Sequence, residues 1–478
     1  LPHNSKPAPT ASVATPAAPP APAVAPVKPL VNFNGVSSRD SAETNFGEEF
    51  EPPDQGLCAG NGFVVEMVNS AYRVYDTSGK TLAGPFNING PFDEGLTEFT
   101  SDPRCHYDAS TNTWYATILQ LGIGETTSSL DIAVNSSGDP RTKWTVYKIN
   151  TTGLGGSGGP REPGCPCFGD QPRIGIDEDN LYVTADVFSI KGEQFNGGEI
   201  YAFDKKELAA LSPTVHFVRF AKLAAGGTHP LAPQPALSTT HAPAEYLLGS
   251  LDPTGTFDQR LVVWAMTNRA AVAKGETPTL SNVVIQSEAY GVPPRAQQSV
   301  AGATIDSGDD RMQQSQFVNG SVWGELTTAV TGEEGALHAG AAWFQVRPAL
   351  AGGVISGAHV VHQGYVTEPG ADVIYPALQV TTAGAGAMVF TVTGPTRHPS
   401  AAYTTLAAGE SAFGAPIIAA PGRGVYNEEA ERWGDYSWAV LDPSGSSLWL
   451  ATEYVPPKSS QTPDGLHNWG TRVLQVAP

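Results

Sequence analysis

The chain has 478 residues and a net charge of −20, although charged residues make up only 15% of it. A surface this acidic repels nucleic acids and anionic lipids, so we expect neither as a partner. No run of 18 apolar residues is present, which argues against insertion into a membrane.

The N-terminal segment differs in composition from the rest of the chain. Residues 5–29 consist almost entirely of Ala, Pro, Val, Ser, Thr and Lys. Proline at this density disfavours helices and sheet interiors, which predicts a disordered stalk or linker over residues 1–29. Such a segment either is a spacer that holds the following domain away from a surface or is a loose tail with no function. The first residues, LPHNSKPAPT, are also typical of a processed secreted chain.

A two-strand pattern recurs from residue 54 to residue 455. Each copy has a polar head, an apolar strand, a turn rich in Asn, Asp, Gly or Pro, and a second β-rich strand. The clearer copies are 99–119, 168–188, 308–328, 374–392 and 432–455, and the weaker ones are 54–76 and 232–250. Their heads, spaced 48 to 77 residues apart, are Asp54, Asp102, Asp170, Ala232, Asp309, Tyr375 and Asp435.

Each interval between heads also holds two further β-like runs. Four short strands per period are typical of a propeller blade. We therefore predict an all-β fold in which residues 30–478 form a single domain, a seven-bladed β-propeller with four antiparallel strands per blade. The last blade has three strands of its own, so the N-terminal strand LVNFNGV, residues 30–36, is predicted to close the ring. Two stacked sheets are the alternative architecture.

Four cysteines lie near the heads of the first three copies, namely Cys58, Cys105, Cys165 and Cys167. A small, even count predicts disulfides and an oxidising compartment, hence a secreted, extracellular or cell-envelope protein. Neighbouring first strands could bring Cys58 to Cys105, and Cys165 and Cys167 could pair with each other or with a neighbour. The sequence leaves all three connectivities open. A metal site that includes His106 is the alternative.

Several stretches carry a resemblance to known proteins. PPDQGLCAGNGFVVEMVN, FTSDPRCHYD, CPCFGDQPRIGID and RWGDYSWAVLDP together resemble uncharacterised secreted bacterial β-propeller proteins, over most of residues 50–475. NSSGDPRTKW, residues 135–144, loosely resembles an Asp-box of the sialidase-type (BNR repeat) superfamily, with Ser137, Asp139 and Trp144 in place and Arg141 where the glycine belongs. An Asp-box marks the fold and not the chemistry. The chain has PRIG at 172–175 and lacks the Arg-Ile-Pro motif of true sialidases.

The heads of the copies are expected to converge, because the first strands of a propeller begin at the rim of a central funnel. Acids and arginines in a shared concave site bind sugars or carboxylated ligands, and a pair of acids can cleave a glycosidic bond. The catalytic candidates are Asp102, Asp170 and Asp435. The ligand-binding candidates are Arg104, Arg173, Arg311, Arg432, Trp433 and Tyr436. The alternative for each is structural: an Asp that fixes a turn, an Asp–Arg pair between blades, or an aromatic ring in the core.

Acidic turns are the only indication of a cofactor. Asp309 and Asp310 are candidate ligands of a structural Ca²⁺, although no loop has the complete spacing of an EF-hand. No other cofactor is expected.

Two functions fit these features. The first is an extracellular or cell-surface binding or structural module for a glycan or a protein partner, favoured by the stalk, the acidic surface and the lack of an established catalytic motif. The alternative is a glycoside hydrolase, a sialidase-like propeller that uses two funnel carboxylates. The sequence leaves open whether the chain is an enzyme, which ligand it takes and its oligomeric state.

Overall fold

The computed structural model describes residues 15–17, 21–22, 26–122, 127–155, 161–192, 194–251, 257–332, 335–426, 432–463 and 468–478. In these ranges the chain is dominated by β-strands, as its β-branched and aromatic runs predict. The helical elements described are short: α1 (Ser38–Thr44), α2 (Lys205–Ala209) and the 3₁₀ turns Arg269–Lys274 and Lys458–Ser460. In the described part of the chain, no helix has the length and apolar character needed to cross a lipid bilayer.

The strands are arranged in units of four antiparallel strands. The N-terminal strand β1 (Val31–Ser37) precedes the first unit. Unit 1 consists of β2 (Gly56–Gly60), β3 (Phe63–Val68), β4 (Ala71–Asp76) and β5 (Thr81–Asn87). Unit 2 consists of β6 (Phe99–Asp108), β7 (Thr113–Leu121), β8 (Ser128–Asn135) and β9 (Thr145–Asn150). Unit 3 consists of β10 (Cys167–Ile176), β11 (Asn180–Ser189), β12 (Phe195–Asp204) and β13 (Phe217–Leu223).

The remaining units follow the same order of strands. Unit 4 consists of β14 (Gln234–Pro235), β16 (Glu245–Ser250), β17 (Asp258–Thr267) and β18 (Thr279–Tyr290), with β15 (Leu237–Ser238) following β14. A separate hairpin of β19 (Ala296–Gln297) and β20 (Thr304–Ile305) precedes unit 5. Unit 5 consists of β21 (Gln314–Val318), β22 (Ser321–Thr331), β23 (Leu337–Ala351) and β24 (Val354–Val366). Unit 6 consists of β25 (Asp372–Val380), β26 (Gly386–Gly394), β27 (Arg397–Leu406) and β28 (Ile417–Ala420).

Unit 7 combines the two ends of the described chain. It consists of β29 (Trp438–Leu441), β30 (Leu448–Tyr454), β31 (Gly470–Val476) and, as its fourth strand, β1. The pairing of β1 with β31 is antiparallel, from Val31 opposite Gln475 to Ser37 opposite Gly470. The segment predicted as a fourth strand at residues 30–36 is therefore paired at that position.

Units 3 and 5 are joined into one nine-stranded sheet, a feature the sequence does not predict. The short strand β15 pairs in parallel with β10 through Ile176 and with β21 through Gln316. Unit 4 has a first strand of only two residues, β14, and after Ala236 the chain continues as β15, which lies between β10 and β21.

The first strands contact one another in cyclic order. β2 contacts β6, β6 contacts β10, β10 contacts β14, β14 contacts β21, β21 contacts β25, β25 contacts β29, and β29 contacts β2. Buried apolar clusters lie between neighbouring units, as between units 1 and 2, where Met67 packs with Trp114, and between units 5 and 6, where Trp343 packs with Phe390. The core is therefore divided among the interfaces between sheets.

The four cysteines form two disulfides. Cys58 in β2 bonds to Cys105 in β6, linking units 1 and 2, and Cys165 bonds to Cys167 at the start of β10. Because every thiol is used in this way, the cysteines are not available as metal ligands. His106 is half-buried, and loss of solvent around its ring lowers its pKa to about 4.

The predicted stalk lies partly outside the described residues. Where the segment is described, it contacts the units: the backbone N–H of Thr331 donates to the carbonyl of Pro16 over 2.8 Å, and the hydroxyl of Tyr403 donates to the carbonyl of Val27 over 2.5 Å. Val27 also packs against the apolar cluster between units 6 and 7.

Candidate functional site

A small cavity lies where the heads of units 3, 5, 6 and 7 meet, and we call it the head pocket. The empty space at this point is about 190 Å³ when the part open to solvent is included. Its lining residues are Gln171, Gly308, Asp309, Arg311, Gln313, Tyr375 and Asp435. The lining is almost entirely polar, although it is built from the ends of apolar strands.

The chain places these head side chains with a repeated local distortion. Four heads stand directly before a proline and have a positive φ between 47° and 61°, namely Asp102, Gln171, Ala232 and Tyr375. In units 2, 3 and 6 the strand register breaks at this point. A positive φ is costly for a residue with a side chain, so the surroundings must hold it in place.

Side chains of the preceding unit hold three of these heads. The backbone N–H of Asp102 donates to Oδ1 of Asn69 over 2.9 Å, and that of Tyr375 donates to Oγ1 of Thr327 over 3.1 Å. The backbone N–H of Ala232 donates to the Asp186 carboxylate over 3.1 Å. Each head conformation is therefore fixed by the sheet next to it.

Gln171 is the hub of the polar network around the pocket. Its Oε1 accepts hydrogen bonds from Nη2 of Arg173 and from Nη1 of Arg311, both over 2.9 Å. Its Nε2 donates to Oδ2 of Asp435 over 3.1 Å. A single buried amide thus ties together the heads of units 3, 5 and 7.

Two ion pairs fix the charged groups of the pocket. Arg311 donates from Nε and Nη2 to the carboxylate of Asp309, over 2.8 and 2.7 Å. Arg432 donates from Nη2 to Oδ1 of Asp435 over 3.1 Å. Burial alone lowers the pKa of both guanidinium groups, but these carboxylates more than offset it and raise the pKa above its ordinary value.

Two polar atoms of the lining have no partner among the described residues. They are the hydroxyl of Tyr375 and Oε1 of Gln313, and the two residues are only 2% and 5% exposed. An unpaired buried polar atom costs about 1–3 kcal/mol, so such atoms are rare unless something else bonds to them. Each atom has less than 1 Å² of exposed surface, so a bonding partner has to enter the small space of the pocket to reach it.

Asp170 and Asp54 are buried carboxyl groups beside the pocket. Burial and the nearby Asp102 carboxylate raise the pKa of Asp170 to about 8. Burial and the carboxylates of Asp435 and Asp102 raise the pKa of Asp54 well above its ordinary range. Oδ1 of Asp170 has no partner in the described part of the chain. A raised pKa favours the neutral form of the Asp170 carboxyl group, which can donate a proton.

Asp102, Arg104 and Tyr436 form a second group, which does not line the pocket. Tyr436 donates from its hydroxyl to Oδ1 of Asp102 over 2.6 Å. The guanidinium carbon of Arg104 lies 3.2 Å from the centre of the Tyr436 ring and 4.4 Å from that of Trp438. Arg104 is 1% exposed, and burial lowers its pKa. These contacts join units 2 and 7.

Two further ligand-binding candidates are buried in the structure. Arg173 forms an ion pair with Asp186 over 2.7 Å and reaches the pocket only through Gln171. Trp433 is fully buried, edge-to-face against Tyr426 at 4.9 Å between centroids. Its ring is therefore not exposed for stacking on a sugar.

The structure does not place the candidate Ca²⁺ ligands, Asp309 and Asp310, in a metal-binding group of described side chains. Asp309 is held by both nitrogen donors of Arg311, and Asp310 is buried. Among the residues that the structure describes, no group of three or more His, Cys, Asp or Glu side chains is placed to hold a metal ion.

The sequence interpretation missed Gln171, Gln313 and Asp186. Gln171 and Gln313 are uncharged, and Asp186 lies in a second strand, away from the heads. One signal could have found Gln171: it precedes Pro172, as Asp102 and Tyr375 precede prolines in their own copies.

Comparison with known proteins gives distant likenesses. No protein-family model matches the chain, and no curated protein matches it. Among solved structures, it is similar to a GH93 α-L-arabinofuranosidase of Fusarium graminearum with arabinobiose, at 12% identity over 80% of this chain and 95% of that chain, with a TM-score of 0.35.

Two other solved structures are similar to the same extent. The Penicillium chrysogenum α-L-arabinanase complexed with arabinobiose is 13% identical over 79% of this chain and 92% of that chain, with a TM-score of 0.34. The Trypanosoma rangeli sialidase is 9% identical over 88% of this chain and 57% of that chain, with a TM-score of 0.37. At TM-scores this low, the likeness does not establish a shared fold, and the proposals below rest on this chain's own residues.

Proposed function

We propose that residues 30–478 form a closed seven-bladed β-propeller that binds a glycan through the polar groups around the head pocket. The cyclic contacts of the first strands and the pairing of β1 with β31 support closure. Residues 1–29 are proposed to be a linker that precedes this domain. Two disulfides support an extracellular or cell-envelope location.

The unpaired polar atoms of Tyr375 and Gln313 carry the proposal of a sugar ligand. The Gln313 oxygen requires a donor, and the Tyr375 hydroxyl can donate or accept, so a hydroxyl group of a sugar suits both. Asp309, Arg311 and Asp435 add further acceptors and donors to the lining. The space inside the pocket suffices for about one water-sized group, so a sugar would enter it with a single hydroxyl group.

The carboxylates at and beside the pocket already accept hydrogen bonds from neighbouring side chains, which favours sugar binding over glycoside hydrolysis. Asp435 is held by Arg432 and Gln171, Asp309 by Arg311, and Asp102 by Tyr436. A carboxylate that accepts such bonds is fixed in orientation, and the bonds lower its basicity.

Asp170 is the observation that favours a second candidate, a glycoside hydrolase. A carboxyl group with a raised pKa next to other carboxyl groups is the arrangement by which glycosidases protonate the leaving group. In this alternative Asp170 is the general acid, and Asp102 or Asp435 is the second carboxylate.

A glycan-array screen followed by calorimetry tests the proposal. We expect wild-type protein to bind a sugar, and Tyr375→Phe and Gln313→Leu each to weaken that binding at least about tenfold, the loss of one or two hydrogen bonds. Tyr147→Phe, on an outer strand of unit 2, is the matched control and should bind normally. Absence of binding on the whole array would contradict the proposal. Release of free sugar that is lost in Asp170→Asn would establish the hydrolase instead.

A further inference from the structure

The Cys165–Cys167 disulfide lies three residues before Asp170 and four before Gln171. We propose that it is a clamp that positions the head of unit 3, so that Gln171 and Asp170 keep their places beside the head pocket. The effect of this disulfide on ligand binding rests on the proposed function, whereas its effect on the order of the backbone at residues 168–173 does not.

The size of the loop that it closes argues against a general stabilising role. Cys165 and Cys167 are separated by two positions, and the loop encloses only Pro166. A crosslink stabilises mainly by restricting the unfolded chain, and the restriction grows with loop length. Cys58–Cys105, with a separation of 47, restricts the unfolded chain far more. The effect of the short crosslink must therefore be local.

The position of the disulfide shows what it holds. In β10, Cys167 pairs with Ser189 and Asp170 pairs with Asp186, after which the register breaks until Arg173. On its other side this leading segment of four residues has one backbone bond, from the N–H of Cys167 to the carbonyl of Thr152 over 3.0 Å, and it is followed by a break that contains Gln171, at a φ of 47°. A short strand end next to a break frays readily unless its start is fixed.

The neighbouring contacts attach the disulfide to the body of unit 3. The backbone N–H of Ile190 donates to the carbonyl of Pro166 over 2.9 Å. Nδ2 of Asn196 lies 3.2 Å from Sγ of Cys167, and both cysteines pack against Val187. The heads of units 2 and 6 are instead held by Asn69 and Thr327 of the preceding unit. In unit 3 the disulfide holds the head in place through a covalent bond instead of a hydrogen bond.

Amide hydrogen exchange on the full chain, read by mass spectrometry, tests the clamp. In a Cys165→Ser/Cys167→Ser variant we expect the amides of residues 168–173 to exchange at least about tenfold faster, with little change in the melting temperature. The control, Cys58→Ser/Cys105→Ser, should melt at a clearly lower temperature while residues 168–173 exchange at the wild-type rate well below melting. Unchanged exchange in the first variant, or a loss of melting temperature as large as in the control, would overturn the proposal.

Sugar binding separates this proposal from the previous one. If the wild type binds a sugar, the Cys165→Ser/Cys167→Ser variant should bind it at least about tenfold more weakly, and unchanged affinity would refute the link to the pocket. If the wild type binds none, the proposed function fails and hydrogen exchange still decides whether the clamp exists. Should the variant not fold, selective reduction and alkylation of Cys165 and Cys167 in wild-type protein supplies the same measurement.

Discussion

Nε2 of Gln171 donates a hydrogen bond to Oδ2 of Asp435 over 3.1 Å, joining two residues that are 264 positions apart in the chain. The same side chain accepts from Arg173 and Arg311. Three heads that come from units 3, 5 and 7 therefore depend on one neutral amide. Its removal should affect the protein more than the loss of a typical surface hydrogen bond.

We predict that Gln171→Met destabilises the protein by about 1–3 kcal/mol, because an apolar side chain of similar size leaves buried charged groups without this partner. Urea unfolding measures the change. The matched control is Gln345→Met, which loses one bond to Ser321 at a half-buried site and should cost less than about 1 kcal/mol. Equal losses in the two variants would contradict the role of Gln171 as a hub.

Asp170 should make stability depend on pH. Its pKa is about 8 in the folded protein, against an ordinary value of 3.8. Between these values the folded state binds a proton that the unfolded state has released, so stability falls as pH rises, by up to about 1.4 kcal/mol per pH unit. Below pH 4 both states are protonated, and above pH 8 neither is.

Asp170→Asn removes this titration, and comparison with wild type isolates it from the other buried acids. We expect the stability difference, wild type minus variant, to decrease between pH 5 and pH 8 in urea unfolding. A difference that is constant over this interval would show that Asp170 is ionised throughout.

The sequence predicts the strands better than it predicts the pocket. Turn residues and aromatic runs mark each hairpin locally, so the strand pairs lie where the pattern indicates. The pocket depends on contacts between distant heads, and there a one-residue shift decides which side chain points inward. The strand register breaks between Asp170 and Arg173. As a result the side chain of Gln171 lines the pocket together with Tyr375, whereas that of Asp170 does not. Trp433 follows the charged residue Arg432, so the sequence predicts an exposed ring, but in the structure the ring is buried.

Trp433 should matter for stability and not for sugar binding. It is fully buried, and its Nε1 donates to Oγ1 of Thr391 over 3.2 Å. We predict that Trp433→Ala costs about 3–5 kcal/mol of stability, because it leaves a cavity, and that Trp433→Phe costs less. Calorimetry with the sugar found by the array should give wild-type affinity for the folded Trp433→Phe variant. A tenfold loss at unchanged stability would instead place the ring in the binding site.

The Cys58–Cys105 disulfide should stabilise the whole domain. It joins the first strands of units 1 and 2 and closes a loop of 47 residues. Restriction of the unfolded chain by a loop of this length is expected to contribute about 4 kcal/mol. Cys58→Ala/Cys105→Ala should accordingly unfold at a lower urea concentration than the wild type, and a non-reducing mass measurement confirms that Cys165–Cys167 is intact in the variant. An unchanged midpoint would contradict the expected restriction of the unfolded chain by this disulfide.

The N-terminal strand should be needed for the closed arrangement. β1 pairs with β31 along its length, and the Phe33 ring lies 4.9 Å from that of Tyr75 in unit 1. Removal of residues 1–37 uncovers β31, and an uncovered strand edge pairs readily with other chains. We predict that the truncated protein loses several kcal/mol of stability, since about seven residues of packed strand are removed, and that it associates in light scattering.

Removal of residues 1–14 alone is the control for this truncation and should leave stability and the monomer–oligomer balance as in the full chain. A synthetic peptide of residues 30–37 should bind the shorter protein and restore its melting temperature, because the peptide can re-form the pairing with β31. A truncated protein with the stability and association state of the full chain would contradict closure through β1. Peptide rescue separates loss of this strand from general damage to the fold, since a misfolded chain would offer no ordered edge to the peptide.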